Sequence, residues 1–293
     1  MRILVFTLIF LLGISLNAQD NKLRAESMIA MAVQKEAEGG KPEEFNPLFE
    51  QAVQFTPDDA SPYLIWGFVL AKHAEENKNT ELLESCFDKF RKALEIKPDY
   101  AEVYSTWAIC LSYYAHETKK DSLYDESFSK FAKAVELEPN ATETYMNWGR
   151  SLLDYAKETK KADDFRQSIE KFDKVLEQDA NSMAAWRDKG YAYLSLGRYE
   201  KNYPKYRTEL ETSLIRAEQL GSQSAAYNMA CYYSLIKEKD EAFKWLEKSM
   251  IKAGAYQSKM YNFTKEKMDS DDDLKNIRRD KRYKQLTELY FKR

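Results

Sequence analysis

Two stretches of this sequence, ALEIKPDYAEVYSTWA from position 93 and AVELEPNATETYMNWG from position 134, are near-copies 41 residues apart. The copying extends well beyond them. Pro57, Pro98 and Pro139 keep the same interval, with Ala180 and Gly221 at the next two steps. Tyr63, Tyr104, Tyr145, Trp186 and Tyr227 form a second register. Phe49, Phe90, Phe131 and Phe172 form a third, and Ala52, Ala93, Ala134 and Val175 a fourth. A fixed period of roughly 20–50 residues marks units that cannot bury an apolar face alone and must stack on their neighbours. The chain is therefore read as an array.

Within each unit the periodicity is helical. Tyr104, Trp107, Ala108 and Leu111 fall on one face at i, i+3, i+4 and i+7, and Phe87, Phe90 and Leu94 do the same for a second segment. Phe128, Phe131 and Val135 repeat that second pattern one unit later. The intervening KPDYAE and EPNATE supply a proline stop and an acidic restart. Composition agrees, with 32% charged residues, 44% apolar residues and only 9 Gly and 7 Pro, which suits helices better than sheets. Each unit is predicted to be a pair of antiparallel helices.

These residues resemble the tetratricopeptide repeat. Its pattern has a bulky residue, a small one four later, and then small, aromatic, small and proline positions on the second helix. Tyr104, Ala108, Leu111, Ser127, Phe131, Ala134 and Pro139 match it. Tyr145, Gly149, Leu152, Ser168, Phe172, Val175 and Ala180 match it less fully. The resemblance implies an all-α, right-handed superhelical solenoid of antiparallel helix pairs with helical end caps. Residues 59–256 are expected to form the array, preceded by a degenerate pair over 19–58 and followed by a linker and capping helix over 257–293. The cap is expected as a charged helix over 271–291 with Leu274, Ile277, Leu286 and Leu289 turned inward. One departure matters. The period is 41 instead of the family's 34, and the extra residues fall around AHETKKDS and AKETKKAD. Seven residues are about two helical turns, so each helix gains about one turn and the ETKK tips stand exposed. The fifth unit, with Tyr227, Cys231, Ala242, Leu246 and Ser249, returns to near the family's length.

The first residues obey a different rule. Arg2 precedes an apolar run over 3–16, followed by LNAQD, the pattern of a cleaved secretory signal. The run is shorter than the roughly 20 residues that span a bilayer. Cleavage is expected after Ala18, leaving Gln19 first, an exported protein (periplasmic or secreted, of a bacterium) and no membrane span after cleavage. An uncleaved anchor is the alternative. Three cysteines are few for a disulfide-held exported protein. Cys86 and Cys110 lie nearly symmetrically about Pro98, which permits a disulfide between neighbouring helices. Cys86 also fills the small-residue slot of Ser127 and Ser168, and Cys231 that of Gly149 and Gly190, which fits small buried thiols.

No chemistry stands out. The formal net charge of −3 gives no general attraction to nucleic acid. The only histidines, His73 and His116, form no spaced ligand pair and are expected near solvent, and there is no phosphate loop, nucleophile elbow or CxxC. Asp269, Asp271, Asp273 and Asp280 have calcium-loop spacing, but Leu274 replaces the required Gly and the closing Glu is missing. Trp66, Trp107 and Trp148 occupy an inward repeat position, so core packing is expected over a ligand platform. Sequons stand at Asn140 and Asn262. Catalytic residues, metal and cofactor are all expected to be absent.

What remains is a surface. The resemblance implies a concave face lined one, two, five and eight positions after the bulky residue. That gives Ile109 and Ser112, then Met146, Asn147, Arg150 and Leu153, then Arg187, Asp188, Tyr191 and Leu194. The last unit adds Asn228, Met229, Tyr232 and Leu235. Met146, Asn147, Arg150, Arg187, Tyr191, Asn228 and Tyr232 form the expected groove for a protein or peptide partner, mixing apolar anchors with fork-shaped donors. The Lys-and-Asn clamp of some family members is not reproduced. Competing readings are a groove filled by the protein's own tail, a structural ion pair of Arg150 and Arg187 with Asp154 or Asp188, a small-ligand or enzyme site using Asp154 and Asp188, and self-assembly through the ends.

Overall fold

The computed structural model describes the backbone of residues 2–255 and 264–291, and the side chains of 19–251 and 264–291. The expected signal segment and the sequon at Asn262 thus lie outside the described side chains. Six helix pairs follow in order: α1 Arg2–Ala37 with α2 Pro42–Phe55, α3 Ser61–Glu76 with α4 Glu81–Ile96, and α5 Ala101–Thr118 with α6 Asp121–Leu137. Then come α7 Thr142–Thr159 with α8 Ala162–Gln178, α9 Met183–Tyr199 with α10 Arg207–Gln219, and α11 Gln223–Leu235 with α12 Lys239–Ala255. The tail holds α13 Lys265–Ser270, a 3-10 turn, α14 Lys275–Arg278 and α15 Lys281–Phe291. No strand occurs among the described residues. Two compact units result, Met1–Pro139 and Asn140–Arg293.

Two of the four sequence registers become core. Phe49, Phe90, Phe131 and Phe172 are fully buried, and Ala52, Ala93, Ala134 and Val175 nearly so. The small residue four after each bulky one lets the paired helices touch. A Cβ on Gly67 would lie 2.6 Å from Phe90, one on Gly149 2.6 Å from Phe172, and one on Gly190 2.5 Å from Leu214. The tryptophan stripe is sealed by lysines that share its period. Lys89 sits 3.6 Å over the Trp66 ring, Lys130 4.1 Å over Trp107 and Lys171 4.1 Å over Trp148. Burial against the array pulls the ammonium groups of Lys89 and Lys171 below their ordinary pKa. Each ring face is thereby taken by a cation of its own helix pair.

Two residues of the bulky register bolt helix to turn. Tyr104 Oη donates to the Pro98 carbonyl at 3.1 Å, and Trp186 Nε1 donates to the Ala180 carbonyl at 3.0 Å, each six residues back. At the other end of the first helices, the chain reverses through a lysine in the left-handed region. Lys78, Lys119, Lys160, Lys201 and Lys237 have φ between 51° and 65°, and the first four again stand 41 apart. Glycine is the usual residue for such a helix end. The extra residues of the repeat lengthen the helices as expected: α5 and α7 each run 18 residues, and α6 and α8 each run 17. Lys119, Lys120, Lys160 and Lys161 are exposed.

The tail departs from the single helix expected over 271–291. Asp271 accepts a hydrogen bond from the Asp273 amide and Asp280 one from the Arg282 amide, so each carboxylate starts a new turn and divides the segment. Leu274 and Ile277 are fully buried against the last pair, as is Met268. Leu286 is partly buried, whereas Leu289 is 63% exposed and does not turn inward. His73 is half-buried, with its ring edge against Phe45 at 5.7 Å, so it is less solvated than its position near a tip implied.

Candidate functional site

In the second unit the first helices α7, α9 and α11 present the same repeat positions. Arg150 projects from α7 and Arg187 from α9, and both reach one carboxylate. Arg150 Nε donates to Asp188 Oδ2 at 2.8 Å, and Arg187 Nε donates to Asp188 Oδ1 at 2.7 Å. The side chain of Asp188 is 13% exposed and that of Arg187 22%, while Arg150 remains 45% exposed. Asn147 and Asn228 are half-buried. A shallow hollow of about 270 Å³ opens beside Arg150, lined by Met146, Asn147, Asp179 and Ser182 among others. Tyr191 is half-buried, with Lys157 Nζ 5.2 Å over its ring, and the same ammonium pairs with Asp154 at 2.7 Å. Asp154 and Asp188, the two carboxylates an enzyme reading would need, are therefore both engaged in ion pairs.

Several expected groove residues lie elsewhere. Tyr232 is fully buried among the last helices and cannot meet a partner. Its burial pushes the phenol up to about 12, and its hydroxyl has no hydrogen-bond partner. Met146 is only 8% exposed, so it forms the floor of the hollow instead of a free anchor. The positions eight after the bulky residue face the core: Leu153 and Leu194 are buried, and Ser112 bonds Ser127 at 2.6 Å. Met229 is fully buried. The usable surface is thus narrower than the repeat positions implied, consisting of Asn147, Arg150, Arg187, Tyr191 and Asn228. Lys157 joins it unforeseen, because it stands twelve positions after the bulky Tyr145.

The acidic run near the end serves as a latch. Asp269 pairs with Lys265 and accepts from Tyr283 Oη at 2.9 Å, and Asp280 is held by Arg282. Asp271 accepts from Tyr227 Oη at 2.6 Å, and Asp273 pairs with Arg198 of α9. Ligand atoms of Cys231, Asp271 and Asp273 come within 4.8 Å of one another, the one such cluster found among the described residues. The Arg198 guanidinium and the Tyr227 hydroxyl already occupy that cluster, and burial pushes the Cys231 thiol and the Asp273 carboxyl up, away from their ligating forms. The donors do not fit a cation there. They fasten the tail to α9 and α11.

Stacked antiparallel pairs with a bulky, small and aromatic register define a tetratricopeptide repeat fold. Solved structures of such proteins agree. PilF of Pseudomonas aeruginosa is 16% identical over 80% of this chain and 93% of its own, with a TM-score of 0.54. PilW, a type IV pilus biogenesis factor, is 14% identical over 86% of this chain and 97% of its own, at 0.53. Yeast Tom70 is 22% identical over 78% of this chain but only 43% of its own, at 0.52. These likenesses establish the fold. No family model and no curated protein matches the sequence. Among the described residues, no helix is long and apolar enough to cross a membrane.

Proposed function

We propose that the protein is a non-catalytic, exported scaffold that holds a protein or peptide partner on the first-helix face of its second unit. The observation carrying this reading is the bridge from Arg150 to Asp188 to Arg187. Asp188 fixes two guanidiniums on adjacent helices, and Arg150 stays exposed beside a hollow. A preorganised guanidinium accepts a planar carboxylate or a backbone carbonyl of a peptide at little further cost in side-chain entropy. The half-buried Asn147, Tyr191 and Asn228 supply adaptable hydrogen bonds and an aromatic edge around it.

The test uses the mature chain as bait for proteins of its native envelope, followed by titration of the captured partner. Changing Arg150→Glu and Arg187→Glu together should weaken the complex at least about tenfold through charge reversal. The melting temperature should fall as well, since Asp188 is 13% exposed and would face two carboxylates in place of two guanidiniums, so binding is compared where both proteins are folded. Asp188→Asn leaves one acceptor oxygen for two guanidiniums and should weaken binding, by less than the charge reversal does. Undiminished binding by the double variant, or a loss only in step with unfolding, would overturn the assignment of this face. For export, the sequence pattern is the support, and intact mass should show a chain beginning at Gln19; retention of residues 1–18 would reject cleavage.

A further inference from the structure

The sign of the charge changes along the chain. Residues 19–139 hold 14 Lys and Arg against 23 Asp and Glu, a formal −9, whereas residues 140–293 hold 30 against 25, a formal +5. The change runs through one repeat position, since Glu75, His116, Lys157 and Arg198 stand in turn twelve after the bulky residue. In the first unit the first helices α3 and α5 touch, and they leave Phe68 53% and Ile109 41% exposed. Glu75 and Glu117 are exposed further along the same two helices. Tyr113 ties them together: its hydroxyl donates to the Glu75 carbonyl at 3.5 Å. Burial, and then the Glu117 and Glu75 carboxylates, push the Tyr113 phenol up, so both acids bear on one spot.

The opposite pattern stands on α15. Tyr283 and Thr287 are buried, leaving Lys281, Gln285 and Leu289 as an exposed row at four-residue spacing, with Lys284 beside it. Leu289 is 63% exposed and the Lys284 side chain 80%. The two surfaces also match in length. Glu75 follows Phe68 by seven residues, about 10 Å along α3, while Lys284 and Lys281 precede Leu289 by five and eight, about 8 and 12 Å along α15.

We propose that the protein associates head to tail with a second copy of itself, α15 of one copy lying antiparallel against the α3–α5 face of the other copy's first unit. Leu289 then meets Phe68 and Ile109, and Lys281 and Lys284 meet Glu75 and Glu117. The two surfaces differ, so the contact is heterologous, and a joined pair still offers one open face and one open tail. Apolar contact holds the copies together. Opposite charge speeds their encounter, fixes the orientation and suppresses tail-to-tail pairing. The contact uses neither Arg150 nor Arg187, so it stands apart from the partner site of the second unit.

Sedimentation equilibrium of the full mature chain should give an average mass that rises with concentration and falls back toward the monomer as salt is raised from about 20 to about 500 mM. Phe68→Lys with Ile109→Lys sets cations against the tail, and Lys281→Glu with Lys284→Glu reverses the tail. Each double variant should weaken self-association at least about tenfold. All four side chains are exposed, so circular dichroism should show both variants folded. Ile109→Lys alone serves in place of the first pair where the double change lowers the helix signal. Mixed in equal amounts, the two variants should associate again, because one keeps its tail and the other its face, and the product should stop at one copy of each. A monomer at all concentrations up to about 1 mM, self-association unaltered by either variant or by salt, or a mixture that stays monomeric would each overturn the proposal.

Discussion

Replacing Trp107 tests the repeat register more sharply than any other single change. Its side chain is 6% exposed, with its ring centroid 6.0 Å from Phe87 and 6.1 Å from Phe90. Lys130 closes its face at 4.1 Å and Arg91 stands at 6.0 Å. Trp107→Ala removes that ring from between three helices and leaves a cavity, a change that costs about 3–5 kcal/mol. Stripping Lys130 of its ring adds about 0.5–1 kcal/mol. The indole N–H of Trp107 is buried without a partner, however, and an unpaired buried donor already costs about 1–3 kcal/mol in the native protein. Trp107→Phe keeps most of the ring, loses that penalty and should fall within about 1.5 kcal/mol of wild type. Urea unfolding followed by circular dichroism at 222 nm distinguishes the two, provided the slope with denaturant is unchanged. A loss below about 1 kcal/mol for Trp107→Ala would mean that the tryptophan is not the keystone its contacts describe.

Two other outcomes follow from the turns and the tail. Lys119→Gly should stabilise the first unit by about 0.5–1 kcal/mol, since an L-residue in the left-handed region costs about 1–2 kcal/mol and glycine returns part of that in chain entropy; a lower urea midpoint would refute it. Asp280 is held at about 2, below its ordinary 3.8, chiefly by hydrogen bonds from Arg282. Its folded pKa is depressed, so its contribution is present above pH 3.8 and lost as pH falls toward 2. Hydrogen exchange at Leu274 and Ile277 should therefore accelerate over that window, and Asp280→Asn should flatten the effect.

The architecture was legible because a repeat states its packing several times. The Phe49 and Ala52 registers, the small slot and the tryptophan stripe all landed where their period put them, since each answers a contact every pair must make. The tail was less legible. It occurs once, and its breaks depend on Asp271 and Asp280 choosing backbone amides over solvent, which no periodicity reveals. The groove failed at its final step for a related reason. Tyr232 shares the repeat position of Arg150 and Tyr191, but the last pair is packed by the tail and the short α11, and the ring there is core. The ion bridge was half visible, since Asp188 adjoins Arg187 in sequence. That Arg150 would choose Asp188 over Asp154 is settled by Lys157, which takes Asp154 one turn further along α7.

The repeated positions are consumed by structure, so identity must reside in positions that do not repeat. The aromatic register holds turns, each stripe tryptophan carries its lysine, the glycine slot admits a phenylalanine, and the left-handed lysines reverse the chain. The row five after the bulky residue behaves differently. In the first unit it reads Phe68 and Ile109, which are 53% and 41% exposed despite being large and apolar. In the second unit it reads Arg150 and Tyr191, an exposed cation and a half-buried ring. All four stand at one position of the repeat, and Tyr232, at the same position of the last pair, is instead buried. Phe68 and Ile109 keep about half of their surface in water, so each forgoes roughly half of the about 1.5–3 kcal/mol that full burial returns. On the function proposed above, these differences mark the face that meets a partner, with Arg150 held by Asp188.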